Sequence, residues 1–208
     1  MSEIIVSFTS YPARIMTIDK VLDTIIEQTV LPDKIILYLS SSEFEDFKDM
    51  PNLEKYKKYG FEIHWHKENL KSHKKWFYAF QEYPEDIIIT IDDDILYCNT
   101  ALENLLKYHK IFPKAVIARR AHLITCNADN SIALYDDWYG ECSVYVGIPR
   151  MDLVATGNAG ILYPPNIFEK ETFNKDTFIE KTPYADDIWL KVMEVYSGTP
   201  VVLAERTW

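Results

Sequence analysis

Ile87-Ile88-Ile89-Thr90-Ile91-Asp92-Asp93-Asp94-Ile95 is an apolar, β-branched run that breaks off into three consecutive carboxylates. Unbroken β-branched side chains suit a strand covered on both faces, so residues 87–91 read as buried. Three adjacent aspartates repel one another, and each favours solvent or a cation. Their position where a buried strand emerges suggests a divalent metal and an anionic ligand; the alternative is a solvated acidic turn.

The flanking sequence alternates strand and helix. Residues 4–8 read as a first strand, left by the loop Thr9-Ser10-Tyr11-Pro12. Ile18, Val21, Leu22, Ile25 and Ile26 recur at helical spacing before Pro32, and 34–39 form a second strand ending in Ser40-Ser41-Ser42. A short helix at 53–59, a strand at 61–66 and a helix at 74–82 complete the approach to the aspartates. A helix at 101–112 follows them. This order predicts an α/β fold with a mixed sheet, mostly parallel in its N-terminal half and flanked by helices. Ligands of such sheets bind beyond the carboxyl ends of the strands, where Thr9, Ser40 and the aspartates would meet.

Beyond residue 112 the pattern loosens. Short strand-like runs occupy 115–150, Thr156-Gly157-Asn158-Ala159-Gly160 precedes an apolar run, and a helix at 187–196 leads to a strand at 200–204. With no repeat or linker, the 208 residues read as one domain. A net charge of −10 and the absence of a basic stripe argue against nucleic acid as a partner. Cys98, Cys126 and Cys142 are odd in number and widely spaced, as expected of reduced thiols in a cytoplasmic protein. The start Met1-Ser2-Glu3 has no signal-peptide pattern.

Phosphatases of the haloacid-dehalogenase type carry their aspartate pair after the first strand, whereas here the first strand ends in Thr9-Ser10-Tyr11. The D-x-D after a later strand resembles instead the GT-A glycosyltransferases. Further elements strengthen the resemblance: residues 6–15, Gln28-Thr29 with Pro32-Asp33-Lys34-Ile35, Ser72-His73-Lys74-Lys75, Gly157 and Gly160 before Pro164-Pro165, and Ala185-Asp186-Asp187-Ile188-Trp189. Their order resembles small bacterial family 2-like glycosyltransferases across nearly the whole chain.

The resemblance implies a nucleotide diphosphate sugar as donor, first of all a UDP-sugar, with Mn2+ or Mg2+. It implies a glycan or lipid-linked glycan as acceptor, which leaves room for peripheral membrane association or a partner protein. Residues 1–99 would form the nucleotide-binding half and 100–208 the acceptor-binding half. Asp94 would ligate the metal directly, Asp92 would bind the ribose or a metal-bound water, and Asp93 would orient either one or face solvent. Thr9, Tyr11 and Arg14 would hold the base, ribose or a phosphate. Ser40 stands where many members have an aspartate that contacts uracil, and Lys75 would reach the donor. Asp187, or alternatively Asp186, would be the general base of an inverting transfer; both could instead cap a helix.

Other residues carry weaker signals. Trp138 and Trp189 are candidates for stacking on a sugar, with Trp189 at core spacing. His64 and His66 share a strand face without a third ligand nearby in sequence. Arg119, Arg120 and His122 would lie near donor or acceptor. The rival functions are a sugar-phosphate nucleotidyltransferase, whose glycine-rich basic loop after the first strand is missing here, and a non-catalytic nucleotide-sugar-binding protein.

Overall fold

Alternation along each strand sorts apolar side chains onto two faces of a central sheet. In the computed structural model, residues 2–47 and 49–205 are described. Their strands are β1 (Ile4–Thr9), β2 (Lys34–Ser40), β3 (Phe61–His66), β4 (Ile87–Thr90), β5 (Val116–Ala118), β6 (Ala121–Leu123), β7 (Leu153–Ala155), β8 (Ile161–Tyr163) and β9 (Val201–Leu203). Their α-helices are α1 (Ile18–Ile26), α2 (Lys74–Glu82), α3 (Ala101–Ile111), α4 (Lys175–Lys181) and α5 (Asp186–Ser197). Seven strands form one sheet in the order β3-β2-β1-β4-β8-β5-β9, and β6 pairs with β7 separately. The fold is a mixed α/β arrangement with a mostly parallel central sheet, as the sequence predicts.

Val6, Phe8, Leu37, Ile89, Ile117 and Val202 pack in one cluster with Val21, Leu22 and Ile25 of α1 and Leu102 and Leu105 of α3. On the other face Ile5, Ile36, Tyr38 and Ile88 meet Ala79 of α2. Val116, Tyr163, Val201 and Leu203 join Trp76 of α2, Phe178 of α4 and Trp189, Leu190 and Met193 of α5. Trp189 is thus a core residue, its indole N–H donating to the Thr172 carbonyl at 3.0 Å.

One strand reversal matters for function. β8 runs antiparallel to both neighbours, pairing Ile161 with Thr90 and with Ala118. Its amino end therefore lies at the edge where β1, β2 and β4 finish, which carries the Gly157 turn to the aspartates. The predicted helix at 53–59 is a 3-10 helix, Glu54–Tyr59, closed by Gly60 at φ +74°. A Cβ on Gly60 would stand 2.5 Å from the Asp33 carbonyl oxygen, so the turn into β3 needs glycine. Among the described residues no helix is long and apolar enough to cross a membrane.

Candidate active site

The loops at this edge enclose a cavity of about 580 Å3 that contains Thr9, Tyr11, Arg14, Lys75, Asp92, Asp93, Asp94, Asp186 and Asp187. That volume suits a small-molecule ligand. Of the residues expected to hold the donor or metal or to act as base, all line it except Ser40, which is fully buried. The Ser40 hydroxyl is 2.9 Å from that of Ser42 and donates to the Lys67 carbonyl at 3.3 Å. Its bonds fasten the end of β2, so the expected place at the base is not supported by its geometry. Glu43, three residues on, reaches the cavity instead.

The three aspartates have three different surroundings. Asp93 is buried, accepts from the Ser10 hydroxyl at 2.6 Å and pairs with Arg14 at 3.0 Å. It clasps the loop after β1 to the loop after β4, so the solvent-facing alternative for this residue does not hold. Asp94 is exposed and meets the same guanidinium at 2.7 Å. Hydrogen bonding to Asp93, together with the charges of both carboxylates, raises the Arg14 pKa. The Arg14 guanidinium also lies 5.5 Å from the centre of the Tyr11 ring, which is 42% exposed at the cavity. Asp92 donates its backbone N–H to the Tyr97 hydroxyl at 2.9 Å and pairs with Lys75 at 2.8 Å. Thr9, by contrast, spends its hydroxyl on the Tyr38 carbonyl at 2.7 Å.

Lys75 lies at the centre of the charge arrangement. It is 5% exposed and forms a second ion pair with Asp186 at 3.2 Å. Burial opposes its charge, but Asp186, Asp92 and Asp187 hold its pKa well above the usual value. The resemblance places Lys75, which follows Lys74 in the chain, at the donor. Both are buried, and Lys74 pairs with Glu43. Internal carboxylates account for two cations at the start of a helix, where the helix dipole disfavours them.

Asp186 and Asp187 begin α5, and their surroundings push them apart. Burial works against the Asp186 charge, yet the positive charge of Lys75 holds its pKa below the usual range. Asp187 lacks a cation of its own: burial, then the charge on Asp186, raise it to about 7. Its carboxylate accepts a hydrogen bond from the Gly157 N–H at 3.3 Å. His73 positions this helix start, because burial keeps the imidazole neutral and its Nε2 lies 2.7 Å from the Thr182 carbonyl. The ring stacks on Phe178 with centroids 4.4 Å apart.

Gly157 is a point of close approach, and its neighbours are protein groups. A Cβ there would lie 3.0 Å from Lys75 Nζ and 3.1 Å from Asp92 Oδ1. Arg120 buttresses the turn by donating to the Thr156 hydroxyl at 2.9 Å. Arg119, Arg120 and His122 do not line the cavity, and Trp138 donates to Ala133 at 3.0 Å in the 132–138 loop. His64 and His66 acquire a shared neighbour from α2, Glu82, at 2.8 and 3.3 Å. Among the described residues no group of three or more His, Cys, Asp or Glu side chains has the arrangement of a metal site. Sequence reading missed Glu43, Lys71, Tyr97 and Tyr184 as members or supports of the site, because none belongs to a motif of charge or spacing, and it gave Ser10 and Ser72 no role although both lie in stretches quoted for the resemblance.

The sequence matches no protein-family model and no curated protein. Solved structures do match. The chain is similar to CMP:2-keto-3-deoxy-manno-octonic acid synthetase complexed with CTP, at 12% identity and a TM-score of 0.52, over 99% of this chain and 89% of that one. It is also similar to residues 1–349 of TarS from S. aureus, at 13% identity and a TM-score of 0.55, over 98% of this chain and 59% of that one. At these identities the likeness establishes a shared fold alone, a mixed α/β arrangement around a mostly parallel sheet.

Proposed function

We propose that the chain is a glycosyltransferase that moves a monosaccharide from a nucleotide diphosphate sugar, a UDP-sugar first of all, to a hydroxyl of a glycan or glycolipid precursor. The observation that carries this reading is the pair Asp186 and Asp187, one carboxyl held ionised and the other poised at about 7, in the cavity that Asp92 and Asp94 also line. Two carboxyls driven apart in pKa are the usual sign of a general base and its electrostatic partner. The likeness to a CTP-bound synthetase adds that this fold accommodates a nucleotide.

Asp92 and Asp94 offer hard oxygen donors to Mn2+ or Mg2+. They fit an ion held by one or two carboxylates and completed by diphosphate oxygens and water, and do not fit an all-protein cage. A divalent ion there would stabilise the negative charge that develops on the leaving diphosphate. Asp187 would take the acceptor hydroxyl proton as that oxygen attacks the anomeric carbon, while the bond from that carbon to the phosphate oxygen breaks and its electron pair leaves with the diphosphate. Attack opposite the leaving group inverts the anomeric centre. Residues 1–99 would hold the donor and 100–208 the acceptor.

A thermal-shift screen of UDP-, GDP-, CDP- and ADP-linked sugars, with and without Mn2+, tests the donor. Stabilisation by one nucleotide class that depends on the ion is expected. No shift with any of them would remove the proposal. The synthetase likeness gives a second reading, a nucleotidyltransferase acting on a nucleoside triphosphate and a sugar. That reaction releases pyrophosphate, so a pyrophosphate assay with CTP or UTP separates the two. The loop after β1 argues for the transferase, since its one cation, Arg14, is bound by Asp93 and Asp94.

Two smaller effects follow. Gly157→Ala is expected to push Lys75 or Asp92 aside by a few tenths of an ångström, weakening donor affinity severalfold in calorimetric titration while changing Tm little. Asp186→Asn removes the charge that helps raise Asp187, so the acid limb of kcat/KM should move to lower pH than in the wild type. An unmoved limb would separate Asp187 from the titration.

A further inference from the structure

The cavity lining has four cations: Arg14, Lys71, Lys74 and Lys75. Three of them are already neutralised. Arg14 is paired with Asp93 and Asp94, Lys74 with Glu43, and Lys75 with Asp92 and Asp186. Lys71 has no carboxylate partner among the described residues. Its ammonium lies 5.9 Å from the centre of the Tyr184 ring, and that ring is 78% exposed. A nucleotide diphosphate brings negative charge into a cavity already rich in carboxylates. One unspent cation is what such a ligand needs.

The backbone gives a second, independent reason. Lys71 has φ +55°, the left-handed region that a lysine rarely occupies, and is the one non-glycine residue lining this cavity that does so among those described. The Asn69 side chain holds it there, accepting the Lys71 N–H at 2.9 Å. Backbone strain kept in place by a dedicated hydrogen bond, at a residue facing a ligand cavity, points to a constraint on where that side chain goes. The next turn of chain carries His73, Lys74 and Lys75, which bond to the Thr182 carbonyl, Glu43, and Asp92 with Asp186. Lys71 is the cation of this segment left for the ligand.

We infer that Lys71, held by Asn69 and flanked by the Tyr184 ring, is the side chain that binds the diphosphate of the nucleotide donor, in place of Lys75, which the resemblance puts at the donor. This rests on the donor reading above. Lys75 then acts within the protein, fixing Asp92 and Asp186 relative to each other, and Lys71 supplies the charge-assisted contact to phosphate.

Calorimetric titration of the wild type, Lys71→Met and Lys71→Arg with UDP and with uridine, each with Mn2+ and with CDP, GDP and ADP in parallel, tests this. Lys71→Met should weaken the preferred nucleoside diphosphate about tenfold, leave the matching nucleoside unchanged and lose part of the salt dependence. Lys71→Arg should restore affinity to within about threefold, because charge and reach are kept. Equal diphosphate affinity in wild type and Lys71→Met would overturn the inference while leaving the donor reading intact. Equal weakening of nucleoside and nucleoside diphosphate would overturn it too, since the loss would then be structural. A wild type that binds none of the nucleoside diphosphates would remove the donor reading and this inference with it.

Discussion

Asp187→Asn should abolish transfer while sparing the donor. A positioned general base contributes about 10^2 to 10^4 in rate, and an amide cannot take the acceptor proton, so a fall in kcat of about a thousandfold is expected. Donor affinity should stay within about threefold, because the ion and diphosphate meet Asp92, Asp94 and Lys71 in this arrangement. Rapid-quench single turnover with saturating donor and acceptor would measure the chemical step directly; an Asp187→Asn enzyme with wild-type turnover would sink the assignment. The same change should stabilise the fold at pH 8. Asp187 binds its proton more tightly in the folded chain, at about 7, than in the unfolded chain, at about 4. Its ionisation therefore costs stability progressively from about pH 4 to about 7, and fully above. Asparagine removes that cost and the repulsion by Asp186. Since the site opens to solvent, the gain is on the order of 1 kcal/mol, or roughly 2–4 °C in Tm.

Most of the fold was legible because strong periodicities carry it. Ile18, Val21, Leu22 and Ile25 repeat at helical spacing and are all buried against the sheet. The run at 87–89 has no polar face because β4 lies between β1 and β8, with helices on both sides. Legibility failed where elements are short. β5, β6, β7, β8 and β9 have three residues each, too few to show alternation. The insertion of antiparallel β8 between β4 and β5 depends on pairing across more than forty residues, and nothing local marks it. The seven-residue α4 has apolar residues only at Phe178 and Ile179, too few for an apolar stripe, and Phe178 anchors it against His73, Trp76, Phe77 and Trp189.

The site divides along similar lines. Carboxylate positions were readable, since charges at strand and helix ends stand out against apolar neighbours. Their partners were not. Lys75 looked available because its two counter-charges, Asp92 and Asp186, are 17 and 111 positions away in the chain. Ser40 looked functional by its place at a strand end, yet its hydroxyl is turned to Ser42 and Lys67. Lys71 stands in none of the motifs read from the sequence. Only the tally of which cations are neutralised, which needs three-dimensional distances, separates it from Lys74 and Lys75.

Asp94→Asn should remove metal-dependent donor binding without harming the fold. Asp94 is exposed, and its pair with Arg14 is a half-exposed ion pair of the kind worth about 0–1 kcal/mol. Arg14 also keeps Asp93 as a partner, so Tm should change by no more than a few degrees. A carboxylate lost from a site with only one or two protein ligands is different in kind, because the ion depends on that charge. Titration with the preferred nucleoside diphosphate should show affinity in Mn2+ falling about a hundredfold, to the level seen in chelator, while the value in chelator stays the same. Asp93→Asn provides the contrast. Its carboxylate is buried and fully engaged by Ser10 and Arg14, so its loss should cost about 1–3 kcal/mol of stability. Two neighbouring aspartates should thus separate cleanly, one altering metal-dependent binding at constant Tm and the other lowering Tm. If Asp94→Asn retains the metal dependence, the direct ligand lies elsewhere in the cavity and Asp92 becomes the residue to test.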